Sequence, residues 1–168
     1  PEYAENITFK KVGEQDDDSV SIFKFQQDSA HKYGLRTTIQ ITYASLFSDV
    51  IGKIVKELHE KYGDEIGLSL LGLPCKEFRA KYKTEDFCIW MFSDEQKREI
   101  IDDVFSLFYE KFGFYPESTG SYFLDSYCIN YIKEKYPSVK CAIATCWEEG
   151  PKAYHTCNNS WYTFMDGG

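Results

Sequence analysis

Apolar residues recur along this chain at helical spacing, and each helical stretch ends in the same way. Phe47, Val50, Ile51, Ile54, Val55, Leu58 and Tyr62 form one stripe. Ile100, Ile101, Val104, Phe105, Phe108 and Phe112 form a second. Ser93 stands ahead of that second stripe with Gln96 three residues later, a capping box that predicts the helix start. Residues 19–33 predict a more modest helix, and a fourth starts near Asp125 and runs through Cys128, Ile129 and Ile132. The four close on one signature: His31-Lys32-Tyr33-Gly34, Glu60-Lys61-Tyr62-Gly63, Glu110-Lys111-Phe112-Gly113 and Glu134-Lys135-Tyr136-Pro137. The lysine complements the negative end of the helix dipole, the aromatic packs inward, and glycine or proline stops the helix.

β-forming residues follow every stop, at 36–43, 65–71, 115–122 and 139–145. A repeated helix–stop–strand unit predicts an α/β fold with a parallel sheet and crossover helices. Within these stretches 39–43, 66–71 and 141–145 are short and apolar, as buried parallel strands are. Folds of this kind bind ligands beyond the carboxyl ends of their strands. Two stretches break the repeat: 72–92, rich in lysine and aromatics, and the irregular tail 147–168. Long connections of this kind are lids, binding loops or disorder, and since both leave carboxyl ends of strands they fall on the expected functional side.

The 168 residues are one domain's worth of chain, and 43% of them are apolar, enough for a globular core. A net charge of −8 argues against a nucleic-acid partner, which needs a basic face. No apolar run is long enough to span a membrane. The start at Pro1 and the stop at Gly168 read as the ends of a fragment of a longer chain, so the absence of a targeting segment says little. None of Cys75, Cys88, Cys128, Cys141, Cys146 and Cys157 lies in a C-x-x-C pair, and several fall inside predicted elements. They read as unpaired thiols, which favours a reducing, cytoplasmic compartment and leaves secretion open.

The stretch from Ser93 to Cys146 resembles the middle of the polysaccharide deacetylase superfamily, in particular a glycoside hydrolase/deacetylase branch. The residues that carry the likeness are Ser93-Asp94-Glu95-Gln96-Lys97, Lys111-Phe112-Gly113-Phe114-Tyr115-Pro116 and Gly120-Ser121-Tyr122-Phe123-Leu124-Asp125-Ser126. Upstream, Lys32-Tyr33-Gly34-Leu35-Arg36-Thr37-Thr38 and Asp64-Glu65-Ile66-Gly67 match strand entries of that superfamily. The resemblance implies an irregular, parallel-stranded β/α barrel, incomplete in this chain, and a hydrolase acting on carbohydrate. Deacetylases of this type hold a divalent metal with an aspartate and a histidine pair, which activates water against the acetyl carbonyl. Here Leu68-Ser69-Leu70-Leu71 stands where that pair belongs, no histidine lies between His59 and His155, and paired aspartates of a first strand are absent. A divalent metal is therefore expected only if its ligands lie outside this chain.

The candidates for chemistry follow from position at strand ends. Asp125, Glu148 and His155 are the expected catalytic residues, two carboxylates across a mouth being what glycosidases use. Asp125 also reads as a helix N-cap. Tyr43, Tyr122, Trp147 and Trp161 are the expected substrate contacts, with Trp147 a flat platform for a sugar ring. Asp64 and Glu65 open a strand at the stabilising amino face, and His31 and His59 read as structural. The competing function is a non-catalytic relative that binds carbohydrate or serves as a structural neighbour of a catalytic domain.

Overall fold

The computed structural model describes residues 17–70, 75–84, 89–121 and 124–144. Helix α1 (Asp17–Lys32) leads into strand β1 (Thr38–Thr42), a single helical turn α2 (Tyr43–Leu46) and helix α3 (Asp49–Tyr62). Strand β2 (Glu65–Ser69), helix α4 (Lys76–Tyr82) and a 3-10 turn at Ile89–Met91 come next. Helix α5 (Asp94–Phe112), β3 (Ser118–Ser121), α6 (Ser126–Lys135) and β4 (Cys141–Ala144) complete the described elements. All four strands pair in parallel, in the order β1-β2-β3-β4. The α/β reading with a parallel sheet is thus what the structure has.

Consecutive parallel neighbours joined by right-handed crossovers place their helices on one side of a sheet. The register bears this out residue by residue. Ile39 and Ile41 of β1 lie level with Ile66 and Leu68 of β2, and Leu68 with Thr119 of β3. These strand residues share one core with Val55 of α3, with Ile100, Ile101, Val104, Phe105 and Phe108 of α5, and with Cys128 and Ile132 of α6. Because side chains alternate along a strand, the opposite face carries the residues between them. On β1 to β3 that face is polar or bare, with Thr38, Gln40 and Thr42 on β1, Glu65, Gly67 and Ser69 on β2, and Ser118 and Gly120 on β3, while β4 adds Cys141 and the 68% exposed Ile143. Gln40 reaches across β2 to donate from Nε2 to Ser118 Oγ at 2.8 Å. Only glycine at position 67 allows this, since an added Cβ would run into the Gln40 amide and sit 2.5 Å from Ser118 Oγ.

Helix boundaries follow the local chemistry. Ser48 Oγ accepts from Ile51 N ahead of α3, and Ser93 and Gln96 form the full reciprocal capping box of α5. Gly34, Gly63 and Gly113 follow α1, α3 and α5 with φ of 70°, 72° and 81°, the left-handed conformation glycine reaches without steric cost. Phe47 departs from the predicted stripe. Thr42 caps the separate turn α2, Phe47 ends it, and Ser48 restarts the helix, which leaves Phe47 42% exposed. Strand β3 is also shorter than 115–122: Pro116 has no N–H for the ladder, and Tyr115 packs instead on Tyr109 and Tyr136.

The stretch 72–92 is more than a lid. Cys75, Phe78, Ile89 and Phe92 are buried in the main core, and α4 forms between them. Its end, Lys81-Tyr82-Lys83, repeats the lysine–aromatic–stop signature with lysine in the glycine place: Lys83 has φ 53°. Cys75 and Cys128 are buried free thiols and Cys141 an exposed one, while the other three cysteines lie outside the described residues.

A side chain in the left-handed region costs about 1–2 kcal/mol, partly offset by the freedom glycine adds to the unfolded chain. Lys83→Gly is therefore expected to stabilise the fold by about 0.5–1 kcal/mol, read as a rise in the urea midpoint at constant slope. A lower midpoint would show that the lysine side chain matters more than its backbone.

Candidate functional site

Strands β1 to β4 all point one way, so the N-termini of the helices that return antiparallel to them lie on the carboxyl-end side of the sheet. Ser48, Ser93 and Asp125, the N-caps of α3, α5 and α6, mark that rim. Asp125 follows β3 and is 4% exposed. Its Oδ1 accepts from Cys128 N at 2.8 Å, the N-cap bond that the sequence predicts. Its Oδ2 lies 2.6 Å from Nζ of Lys97, which is itself only 8% exposed. Lys97 also lies 3.5 Å from Asp94 Oδ1, and its ammonium stands over the Tyr127 ring at 5.7 Å.

Lys97 is the residue the sequence reading passed over, although its position carries a signal. It falls on the buried stripe of α5, three and four residues ahead of Ile100 and Ile101. It also puts positive charge in the first turns of a helix, where the dipole opposes it. A buried lysine there needs a counter-charge, and Asp125 supplies it.

The pair is ionised. Burial works to raise the Asp125 pKa, but the hydrogen bond from Lys97, that from the Cys128 N–H and the lysine's charge hold it below the ordinary carboxylate range. Burial works to lower the Lys97 pKa, and the hydrogen bond and charge of Asp125 leave it above the ordinary range. Burial, followed by the hydrogen bond and charge of Asp125, pushes the Cys128 thiol upward, so it stays protonated. An anion at neutral pH accepts hydrogen bonds; it does not protonate a leaving group. Of the roles open to Asp125, the geometry fits that of hydroxyl acceptor or positioning group.

Tyr43, expected as a substrate contact, is 2% exposed. Its ring packs edge-on against Phe47 and Phe78, and its hydroxyl donates to Asp103 Oδ2 at 3.3 Å. It continues the apolar face of β1 into the core, so it presents nothing to a mouth. Tyr122, Trp147, Glu148, His155 and Trp161 lie outside the described residues. Among the described residues no group of three or more histidine, cysteine, aspartate or glutamate side chains is arranged to hold a metal ion.

The amino face is occupied by a different cluster. Asp64 is fully buried, with Oδ2 accepting from His31 Nε2 at 2.7 Å and Oδ1 from Thr37 N at 2.9 Å. His59 Nδ1 donates to the Asp64 carbonyl at 2.6 Å, and the His31 ring stacks on Tyr62 with centroids 3.6 Å apart. Two histidines from different helices thus close on the turn that enters β2, and both carboxylate oxygens of Asp64 are engaged there.

The signs of the two shifts at the rim fix a pH window. The depressed Asp125 pKa contributes stability above the unfolded carboxylate value of about 3.9, lost as pH falls through the folded value. The raised Lys97 pKa contributes stability below the unfolded value of about 10.4, lost as pH rises through the folded one. Asp125→Asn keeps an N-cap acceptor and leaves Lys97 buried without its counter-charge. It is expected to cost about 3 kcal/mol at pH 7, and the gap to the unsubstituted protein is expected to narrow in acid, as pH falls through the depressed Asp125 pKa. Urea unfolding at pH 7 and in acid measures it; an equal gap at both would show that the ion pair contributes nothing.

No family model, no curated protein and no solved structure matches this chain.

Proposed function

We propose that this chain forms the wall of an irregular β/α barrel of the polysaccharide deacetylase type and acts as a carbohydrate hydrolase that works through carboxylates. The observation that carries the reading is the consecutive order of four parallel strands, with an apolar face under the helices and, on β1 to β3, a polar, glycine-cleared face opposite. Doubly wound sheets reverse their strand order at a switch point, and none occurs among the described strands. A barrel puts the face that points away from the helices inside. Barrel interiors are usually packed with branched aliphatic residues. On β1 to β3 Gln40, Glu65 and Ser118 occupy that face, which suits water and a polyhydroxylated ligand better than a dry core.

In this reading Asp125 and Lys97 fix the polarity of the rim, and the proton-transfer groups are Glu148 and His155, with Trp147, Tyr122 and Trp161 as contacts for sugar rings. One observation favours the second reading, a non-catalytic glycan-binding barrel: Asp125 is already committed to Lys97 and to the α6 backbone.

Turnover of acetylated and deacetylated oligosaccharides separates the two. Glu148→Gln is expected to lower kcat about 100-fold or more, in the range of a lost general acid or base, with the unfolding midpoint unchanged. Saturable glycan binding with no turnover in the unsubstituted protein would establish the second reading. Unchanged kcat in both Glu148→Gln and Asp125→Asn would end the carboxylate mechanism.

A further inference from the structure

The two edges of the sheet are unlike one another, and each has what the other lacks. At β4 the sheet ends in a strand that no helix follows among the described residues. At β1 it ends in a strand with a helix ahead of it, α1, and among the described residues no strand precedes that helix. There β1 pairs only with β2 and β4 only with β3, so each strand presents an outer edge open to a further strand. Both edges also carry uncovered apolar side chains. At β4 Ile143 is 68% exposed, and a cavity of about 140 Å³ opens between the strand and α6, with Leu124, Ile129, Ile132, Val139 and Ala142 as its apolar lining. At the other edge Phe25 is 72%, Tyr33 77% and Leu35 59% exposed. Helix α1 turns Phe23 to the core, stacks His31 on Tyr62, and lines a groove against α3 with Lys24, Gln27 and Asp28. Phe25 and Tyr33 take part in none of these contacts, and Leu35 stands in the short link from α1 to β1.

We propose that these edges are the two halves of one interface, and that two copies of this chain close a single eight-stranded barrel, β4 of each pairing in parallel with β1 of the other. This rests on the barrel reading above and names what completes the wall. Three observations choose a second copy as the occupant. The four strands run one way in consecutive order, so β4 followed in space by α1 and β1 of a second copy continues the strand–helix–strand alternation without a reversal. That α1 comes to lie beside α6, where the apolar cavity opens. Four strands from each copy make the eight of the common β/α barrel, and a two-fold axis along the barrel forms the contact twice and leaves no edge. Ile143, lastly, lies on the sheet face that points away from the helices, where branched aliphatic residues fill barrel interiors, and in one copy alone it faces solvent. The carboxyl ends of all eight strands then share one rim, so a mouth bearing two Lys97–Asp125 pairs exists only in the assembled pair.

Sedimentation velocity of the whole chain over about 1–100 μM tests this, in ~0.15 M salt because the net charge of −8 on each copy opposes association. A species of twice the chain mass is the expected result. Ile143→Lys and Leu35→Lys, on opposite edges, are each expected to weaken association about tenfold or more, since the two-fold axis repeats either change at both contacts. Both positions are more than half exposed, so both variants are expected to fold, which circular dichroism checks. A dimer that Ile143→Lys dissociates and Leu35→Lys leaves intact would show β4 meeting β4, and a ladder of higher multiples would show open head-to-tail growth; either overturns the closed pair. A monomer at every concentration overturns it too. Oligosaccharide binding and turnover, measured on the same samples, keep the two readings apart. A monomer that binds or cleaves glycan leaves the carbohydrate reading standing without a second copy. A dimer inert to every glycan, dissociated by both substitutions, keeps the closure and ends the carbohydrate reading.

Discussion

Asp102 and Asp103 occupy successive positions of α5, about 100° apart around the helix, and each gathers hydroxyls and an ammonium from a different neighbour. Asp102 takes Tyr131 at 2.9 Å, Tyr136 at 2.8 Å and Lys135 at 2.6 Å, all from α6 and its C-cap. Asp103 takes Tyr43 from α2 at 3.3 Å, Tyr82 from α4 at 3.2 Å, and Lys81. Burial works to raise the Asp102 pKa, yet hydrogen bonds from Lys135, Tyr136 and Tyr131 hold it below the ordinary range. Beneath these polar contacts, five α5 residues from Ile100 to Phe108 have no exposed surface. The helix is therefore fixed in rotation by charge on both flanks and in depth by apolar burial, worth roughly 1.5–3 kcal/mol for each large side chain. The rim depends on that setting, because Lys97 meets Asp125 only when α5 and α6 keep this rotation.

The charge logic of the two ends of the sheet differs. At the amino end Asp64 accepts from a histidine and a backbone amide, with a second histidine on its carbonyl, so the turn into β2 is held from both helices. At the carboxyl end a lysine opposes a helix dipole and is held by an aspartate that caps another helix. The first arrangement stabilises a corner. The second concentrates ionised groups where helix N-termini converge, which is where parallel α/β proteins receive their ligands.

The fold was legible because local signals agreed with one another. Capping at Ser93 and Asp125 and stops at Gly34, Gly63 and Gly113 set the helix boundaries, and the strands fell between them. Helix α4 was missed for a physical reason: its stop uses Lys83 rather than glycine, and its burial rests on a single aromatic, Phe78, which makes no stripe. Lys97 was missed because a lysine on a helix reads as solvated surface unless its position on the apolar stripe is weighed. Tyr43 was misplaced because a strand's end fixes height in the sheet but not which face the next residue takes; alternation from Ile39 and Ile41 sends it inward.

The Gln40 amide that spans β2 has a consequence for how this sequence can drift. It makes positions 40, 67 and 118, drawn from three separate strands, a single heritable unit. A side chain gained at 67 evicts the amide, and a shortened residue at 40 leaves the Ser118 hydroxyl without its donor. Lineages that change one of the three are expected to change the others, so their joint variation would record the bridge wherever it has been kept.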